Sequence, residues 1–299
     1  MPILVGASTR ILVQGITGRE AATFTLESLA YGARIVAGVS PGKGGARVHG
    51  VPVFDGVRSA LREQPCDASV ISVPPPFALE AALEALEHGI RLLVIVTERV
   101  PRKDAAAILE HARAARASGA ARVIGPNSLG VISPGLARCG MCGGSADAVR
   151  RAYSPGGVGI ISRSGGMMTE IASLLTQAGI GQSTCVSIGG DPLVGSTFLD
   201  LLPLFEADPE TRSLVLFCEP GGAMEEHLAE HLRSRGSRLR IVAFIAGRFA
   251  DQRQGVRFGH AGALVNGAQG SPAGKARALA GAGVRVAAKL SEIPALVSA

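Results

Sequence analysis

Short, continuous apolar runs alternate along this chain with segments of helical period. The first group of runs is ILVQG (11–15), ARIVAGV (33–39), ASVISV (68–73), RLLVIVT (91–97) and ARVIGP (121–126). The second is GVGIISRSG (157–165), STCVSIGG (183–190), SLVLFCEPG (213–221), RIVAFIAG (240–247) and VRVAA (284–288). Apolar runs without alternation are strands covered on both faces, and helices between them imply a parallel sheet. Ala22, Leu26, Leu29 and Ala30 predict one apolar helix face, and Ile171, Leu174, Leu175 and Ala178 predict another. ALEAALEALEHG, at 78–89, reads as a third helix with a glycine stop. From about 128 to 156 the alternation fails, and Gly, Ser and Pro dominate, which reads as a linker. The pattern predicts two doubly wound α/β domains, 1–130 and 131–299, with the linker at about 131–156. In such folds ligands sit beyond the carboxyl ends of the strands.

Composition narrows the classes. Apolar residues are 47% of the 299 and charged residues 18%, enough for two cores and too apolar for a disordered chain. Tryptophan is absent and aromatics are 4%, which argues against a base-stacking nucleic-acid platform. The net charge of +6 comes from scattered residues, without the basic run of a nucleic-acid or membrane arm. It suits either a plain soluble surface or cationic pockets for an anionic substrate. No apolar run reaches membrane-spanning length, and MPILVGASTRILVQG reads as a strand rather than a secretory leader. Five cysteines, an odd number, predict a reducing, cytoplasmic setting. CGMC at 139–142 lacks two further ligands at plausible spacing, so no metal site is expected.

Three glycine-rich loops carry the candidate chemistry. GITGREA, Gly15 to Ala21, follows the first strand and opens a helix, the arrangement that offers backbone N–H groups to a phosphate. A dinucleotide site usually has an acid at the end of strand two, but SPGKGG places Lys43 there. A cation suits a ribose phosphate, as in coenzyme A or NADP; the plain alternative is a glycine turn. IISRSGGMMTE, 160–170, offers Ser162, Ser164, Gly165 and Gly166 at a positive helix end, unless Ser164 merely caps the helix. G-x-S-x-G is not met, which disfavours a serine hydrolase. The third loop, RQGVRFGHAGALVNG, sets His260 between glycines, with Arg257 as a candidate phosphate contact. Glu219 in FCEPGG ends a neighbouring strand, on the same predicted rim. A carboxylate beside a histidine fixes its tautomer and sharpens the free nitrogen as a nucleophile. The plain readings are an ordinary strand-end acid and, for His49, His88, His111, His227 and His231, surface histidines.

Together with VPVFDGV, SVPPPFA, VTERVP, IGPNSLGVISPG, GQSTCVSIGGDP and FGHAGA, these motifs occur in the order of the succinyl-CoA synthetase α-subunit family. The resemblance runs from about 8 to 295. The wider family includes malate–CoA ligase and the matching part of ATP-citrate lyase. It implies an N-terminal Rossmann-like CoA-binding domain and a C-terminal flavodoxin-like doubly wound domain. It also implies a partner β-subunit with an ATP-grasp fold that binds ATP or GTP with Mg²⁺, in an αβ or α2β2 assembly. Phosphate passes to a histidine, then to a carboxylic acid as an acyl phosphate, which the CoA thiol attacks. By this resemblance His260 is the phosphohistidine and Glu219 holds its ring, although Pro220 replaces the common Ile. Ser162, Ser164, Gly165 and Gly166 cradle phosphate. Thr17, Gly18, Arg19, Glu20 and Lys43 contact CoA, as do Val96, Thr97 and Glu98.

The departures lie at the acid end. GPNSLG, with Ser128 and Leu129, stands where succinyl-CoA synthetases have GPNCPG. SRSGGMMTE puts Thr169 where the family has a substrate-contacting Tyr, and resembles ATP-citrate lyase instead. Ser128 and Thr169 are therefore the candidate substrate residues. A larger or hydroxylated di- or tricarboxylate, such as malate or citrate, is the alternative to succinate. A non-catalytic CoA-binding regulator and an NADP oxidoreductase are the readings from other classes.

Overall fold

The computed structural model describes residues 2–117, 121–247, 260–263 and 270–298. Arg257 and Gly259 lie outside the described residues. All ten apolar runs form strands, shared between two seven-stranded sheets.

In the first sheet β1 (Arg10–Gln14) lies between β2 (Arg34–Val39) and β5 (Ala68–Ile71), with β6 (Leu92–Ile95) and β7 (Arg122–Ile124) beyond β5, all parallel. A short hairpin, β3 (Arg47–Val48) and β4 (Val51–Phe54), closes the β2 edge. Its strands are too short to show a period, and Pro52 interrupts the pattern. The order of strands reverses between β1 and β5, which opens a crevice at their carboxyl ends.

In the second sheet β10 (Pro155–Ser162) lies between β11 (Gln182–Ser187) and β12 (Ser213–Cys218), with β13 (Arg240–Ile245) and β14 (Arg285–Ala287) beyond β12, all parallel. This is the flavodoxin-like order, and its switch point lies between β10 and β12.

Residues 131–156, expected as a linker, belong to the second domain. They include β9 (Ala137–Gly140), most of β8 (Gly130–Ser133), and helix α5 (Ala146–Ala152). They extend the sheet beyond β11: β8 pairs antiparallel to β11, and β9 antiparallel to β8. The glycines that suggested a linker permit close strand approach instead. A Cβ on Gly130 would lie 2.1 Å from the Cys139 carbonyl, and one on Gly140 2.6 Å from that of Leu129.

Helix α1 (Arg19–Tyr31) buries a face other than the predicted one. Ala21, Phe24, Thr25 and Ser28 point inward, while Leu26 is 46% exposed. The helix packs against the second domain through small and polar positions: the Ser28 hydroxyl donates to the Gly140 carbonyl at 3.2 Å. Apolar periodicity misses such a face. Helix α6 (Gly165–Gln177) buries Met168, Ile171, Ala172 and Leu175, but Ala178 is exposed.

Further bonds stitch the domains together. Ile3 N–H donates to Thr184 Oγ1 (3.3 Å), Ser133 Oγ to the Val5 carbonyl (2.8 Å), and Ser196 Oγ to the Val123 carbonyl (2.8 Å). On one face of the second sheet α7 (Phe198–Ala207) buries Phe198, Leu201, Leu202 and Phe205, and Thr197 and Asp200 form a capping box at its start. Phe205 is fully buried and lies flush against Gly159 of β10, where a Cβ would sit 2.6 Å from its ring. Phe205→Ala is expected to lower the unfolding free energy by about 3–5 kcal/mol, read from urea denaturation.

Candidate active site

Strand β12 is apolar and wholly buried, and Glu219 is the first residue beyond it, 8% exposed. β12 and β13 pair in register, Cys218 opposite Ile245, so the chain leaves both strands on one rim. His260 lies on that rim. Its Nδ1 is 2.8 Å from both oxygens of Glu219. A carboxylate only accepts, so Nδ1 carries the proton and the lone pair of the neutral ring is on Nε2.

The ring rests on bare backbone. A Cβ on Gly190 would lie 2.3 Å from the imidazole Cγ. The supporting turn is held by Arg163, 2% exposed, whose Nε donates to the Gly189 carbonyl and Nη2 to that of Asp191, both at 3.2 Å. Gly262 N–H donates to the Gly190 carbonyl at 3.1 Å, which fastens the histidine segment to the same turn. The Asp191 carboxylate accepts from the Asn127 side chain at 3.0 Å.

The bond to Glu219 raises the basicity of His260; partial burial opposes this, the Glu219 charge adds to it, Arg163 opposes it and Asp191 favours it. The charged pair therefore contributes stability in full below the ordinary imidazole pKa of about 6.5, and loses it as pH rises through the higher folded value.

Ser162, Ser164, Gly165 and Gly166 lie on the same rim. Ser162 ends β10, opposite Ser187 and Phe217, and its hydroxyl donates to the Ser164 carbonyl at 2.5 Å. Ser164 caps α6, accepting from Met167 N–H at 3.4 Å. A Cβ on Gly165 would overlap Leu129, whereas Gly166 faces open space, where an anion can approach the helix end.

At the first switch point Gly15, Thr17, Gly18, Ser40 and Lys43 line a cleft of about 500 Å³, with exposed Phe77 also on its wall. Gly15 has φ +84°, and a Cβ there would lie 2.2 Å from the Ser72 carbonyl. Thr17 Oγ1 donates to Ser40 Oγ at 3.0 Å. Gly18 gives α1 no side-chain cap, so the first N–H groups of the helix remain for an anion. With Lys43, this set fits a phosphorylated nucleotide moiety. Arg19 and Glu20 instead line a separate cleft with Arg138 and Met141. Val96 and Thr97 are buried beyond β6, where Thr97 Oγ1 donates to the Val73 carbonyl (2.8 Å), and Glu98 is exposed.

The two residues assigned to the acid have engaged hydroxyls. Ser128 is 1% exposed; its hydroxyl donates to the Ser187 carbonyl at 2.5 Å and accepts from Gly130 N–H at 2.8 Å. Thr169 is half-buried in α6, one turn after its start, where its hydroxyl donates to the Gly165 carbonyl (3.3 Å) and meets the Tyr153 hydroxyl at 2.9 Å. Sequence reasoning missed Gly190, Arg163, Asp191 and Tyr153. Gly189-Gly190 before Asp191-Pro192 was the available signal for the first and third. Burial pushes the Cys142 thiol up to about 12. Among the described residues no group of three or more His, Cys, Asp or Glu could hold a metal ion.

Comparison with known proteins completes the description. A family profile described as CoA binding domain matches residues 7–99, and one described as CoA-ligase matches 161–285. A succinate–CoA ligase [ADP-forming] subunit alpha 1 from Archaeoglobus fulgidus is 44% identical over 97% of this chain and 95% of its own. The ADP-forming sulfoacetate-CoA ligase subunit SauD of Bilophila wadsworthia is 39% identical over 100% and 99%. An ATP citrate lyase from Methanothrix soehngenii, solved with citrate and coenzyme A, superposes with a TM-score of 0.90 at 26% identity over 99% of this chain. This chain spans 50% of that one.

Two substitutions test the geometry. Glu219→Gln is expected to lower the His260 pKa, seen as a downward shift of its imidazole titration by NMR. Gly190→Ala is expected to push the ring off its seat and disrupt the Glu219 contact while leaving the fold intact by circular dichroism; an unchanged imidazole titration would contradict the packing described.

Proposed function

The chain belongs to the succinate–CoA ligase α-subunit family, and from that premise we propose that it forms acyl-CoA through phosphorylated His260. As an acid–CoA ligase α-subunit with a CoA-binding domain it works with a partner subunit. We assign to that partner an ATP-grasp fold that holds ATP or GTP with Mg²⁺. The observation that carries this reading is the Glu219–His260 dyad, with Nδ1 on the carboxylate and the lone pair on Nε2.

In the first step the Nε2 lone pair attacks the γ-phosphorus. The P–N bond forms, the P–O bond breaks, and its electron pair leaves with the nucleoside diphosphate. Glu219 holds the Nδ1 proton and balances the positive charge that develops on the ring. A carboxylate oxygen of the acid then attacks phosphorus, and the N–P pair returns to Nε2. The CoA thiolate attacks the acyl carbon, and phosphate leaves. The α6 end at Ser164–Gly166 offers N–H groups to the phosphate throughout. The Thr17, Gly18 and Lys43 cleft holds the nucleotide end of CoA, supported by its bare glycine turn and its single lysine. We assign CoA contacts also to Arg19, Glu20 and Val96–Glu98. The five free thiols support a cytoplasmic, reducing setting. No helix among the described residues is long and apolar enough to cross a membrane.

We place the choice of acid around Thr169, with Ser128 acting from beneath. A Thr in place of the family's Tyr leaves room, which favours a larger or hydroxylated acid over succinate. A panel of succinate, malate, citrate, itaconate and sulfoacetate in a thioester assay tests this, and a clear preference for succinate would reverse the reading of Thr169.

For the central proposal, the complex with its partner subunit and labelled ATP with Mg²⁺ should acquire acid-labile, base-stable phosphate. His260→Ala should acquire none. A wild-type complex without label would leave the dyad unexplained and favour a non-catalytic CoA-binding protein. Lys43→Ala should raise the KM for CoA by about tenfold, roughly one lost charged contact, while phosphohistidine still forms.

A further inference from the structure

Glu219 must meet Nδ1 with both oxygens at 2.8 Å. Yet it heads a loop in which Gly221 and Gly222 take left-handed conformations, φ +86° and +62°. Two such glycines give the loop little shape of its own. A buried charged cluster lies against it. Lys275, on α9 (Pro272–Ala280), is 0% exposed. Its Nζ donates to the Gly222 carbonyl at 3.1 Å, to Glu226 Oε2 at 3.1 Å, and to the Glu225 carboxylate. Glu225 and Glu226 open α8 (Met224–Arg235), and Glu225 is also fully buried.

The cluster reaches both sides of the dyad. Gly221 N–H donates to the Gly270 carbonyl at 2.8 Å, and Gly270 N–H donates to Glu226 Oε1 at 3.1 Å. Gly270 lies ten residues beyond His260. One ammonium thus ties the Glu219 loop to the chain beyond His260. It has no contact with the imidazole: the charges that act on the ring are Glu219, Arg163 and Asp191. Buried ion pairs are commonly no more stable than apolar replacements, so stability alone gives little reason for three charges here. Geometry does.

We propose that Lys275 is a positioning residue, which fixes the Gly222 carbonyl and so sets the Glu219 carboxylate against Nδ1 of His260. The catalytic meaning rests on the phosphohistidine reading; the positioning itself does not.

The test uses the full chain with its partner subunit and the double variant Lys275→Met/Glu225→Leu, which removes two charges and keeps the volume. The NMR titration of His260 is read first, because it needs no phosphorylation. Its midpoint should fall from the raised value toward about 6.5, while the thermal transition stays at the wild-type temperature. Phosphohistidine formation should slow by up to about a hundredfold, the scale of a 1 Å misplacement, with the KM for ATP unchanged and the acid limb of the rate moved to lower pH. A folded double variant with an unmoved titration overturns the proposal. If the double variant does not fold, Lys275→Arg, which keeps the charge and displaces the donor, is read the same way, and an unmoved midpoint is equally decisive against it. Wild-type protein that titrates as described but takes up no label refutes the phosphohistidine reading and leaves the positioning role standing.

Discussion

A histidine with one defined tautomer must be held on one nitrogen, so that its lone pair falls on the other. The carboxylate of Glu219 against Nδ1 meets that demand, and much of the second domain can be understood as its support. The ring needs a flat seat, so position 190 has no side chain. The seat needs a fixed turn, so a guanidinium is buried under it. The carboxylate needs a fixed loop, and it stands immediately beyond a strand buried along its whole length. The fastenings of the turn under the ring are hydrogen bonds to backbone carbonyls, and directed bonds place a group to a fraction of an ångström.

The two sheets solve a common problem twice. A parallel sheet covered on both faces sends all its strand ends to one edge, and the reversal of strand order leaves a crevice there. In the first sheet the crevice receives Gly15, Ser40 and Ser72, with Lys43 on its wall. In the second it receives Ser162 and Glu219. Both crevices are flanked by a helix start, where the unpaired N–H groups favour negative charge. A single architectural rule thus places two helix-flanked crevices, and residue choice gives one rim a lysine beside a glycine turn and the other a carboxylate bonded to a histidine.

The strands were legible because their apolar runs are continuous, and continuous runs survive without knowledge of the partner strands. His260 and Glu219 were legible because a histidine between glycines and an acid at a strand end are each unusual, and the parallel rule puts them on one rim. The α1 face was misread because Thr25 and Ser28 face the other domain, where a hydroxyl finds a carbonyl. The segment 131–156 was misread because glycine serves close packing as well as flexibility, and only tertiary approach tells the two apart. Arg163 and Lys275 were invisible for a similar reason: a cation reads as surface until its carbonyl partners, distant in sequence, are known. Ser128 and Thr169 were found by departure from a family pattern, yet both hydroxyls are spent on neighbouring groups.

The short stretch around Asn127 belongs to both halves of the molecule. Its backbone N–H donates to the Thr97 carbonyl at 3.0 Å, in the first domain. Its side chain donates to Asp191, next to the seat of the His260 ring. It holds a left-handed conformation, φ +56°, which Asn tolerates better than most residues. Heredity therefore has no clean seam here. Recombination that exchanged one domain between relatives would have to carry a bridge suited to the carbonyl on one side and to the carboxylate on the other.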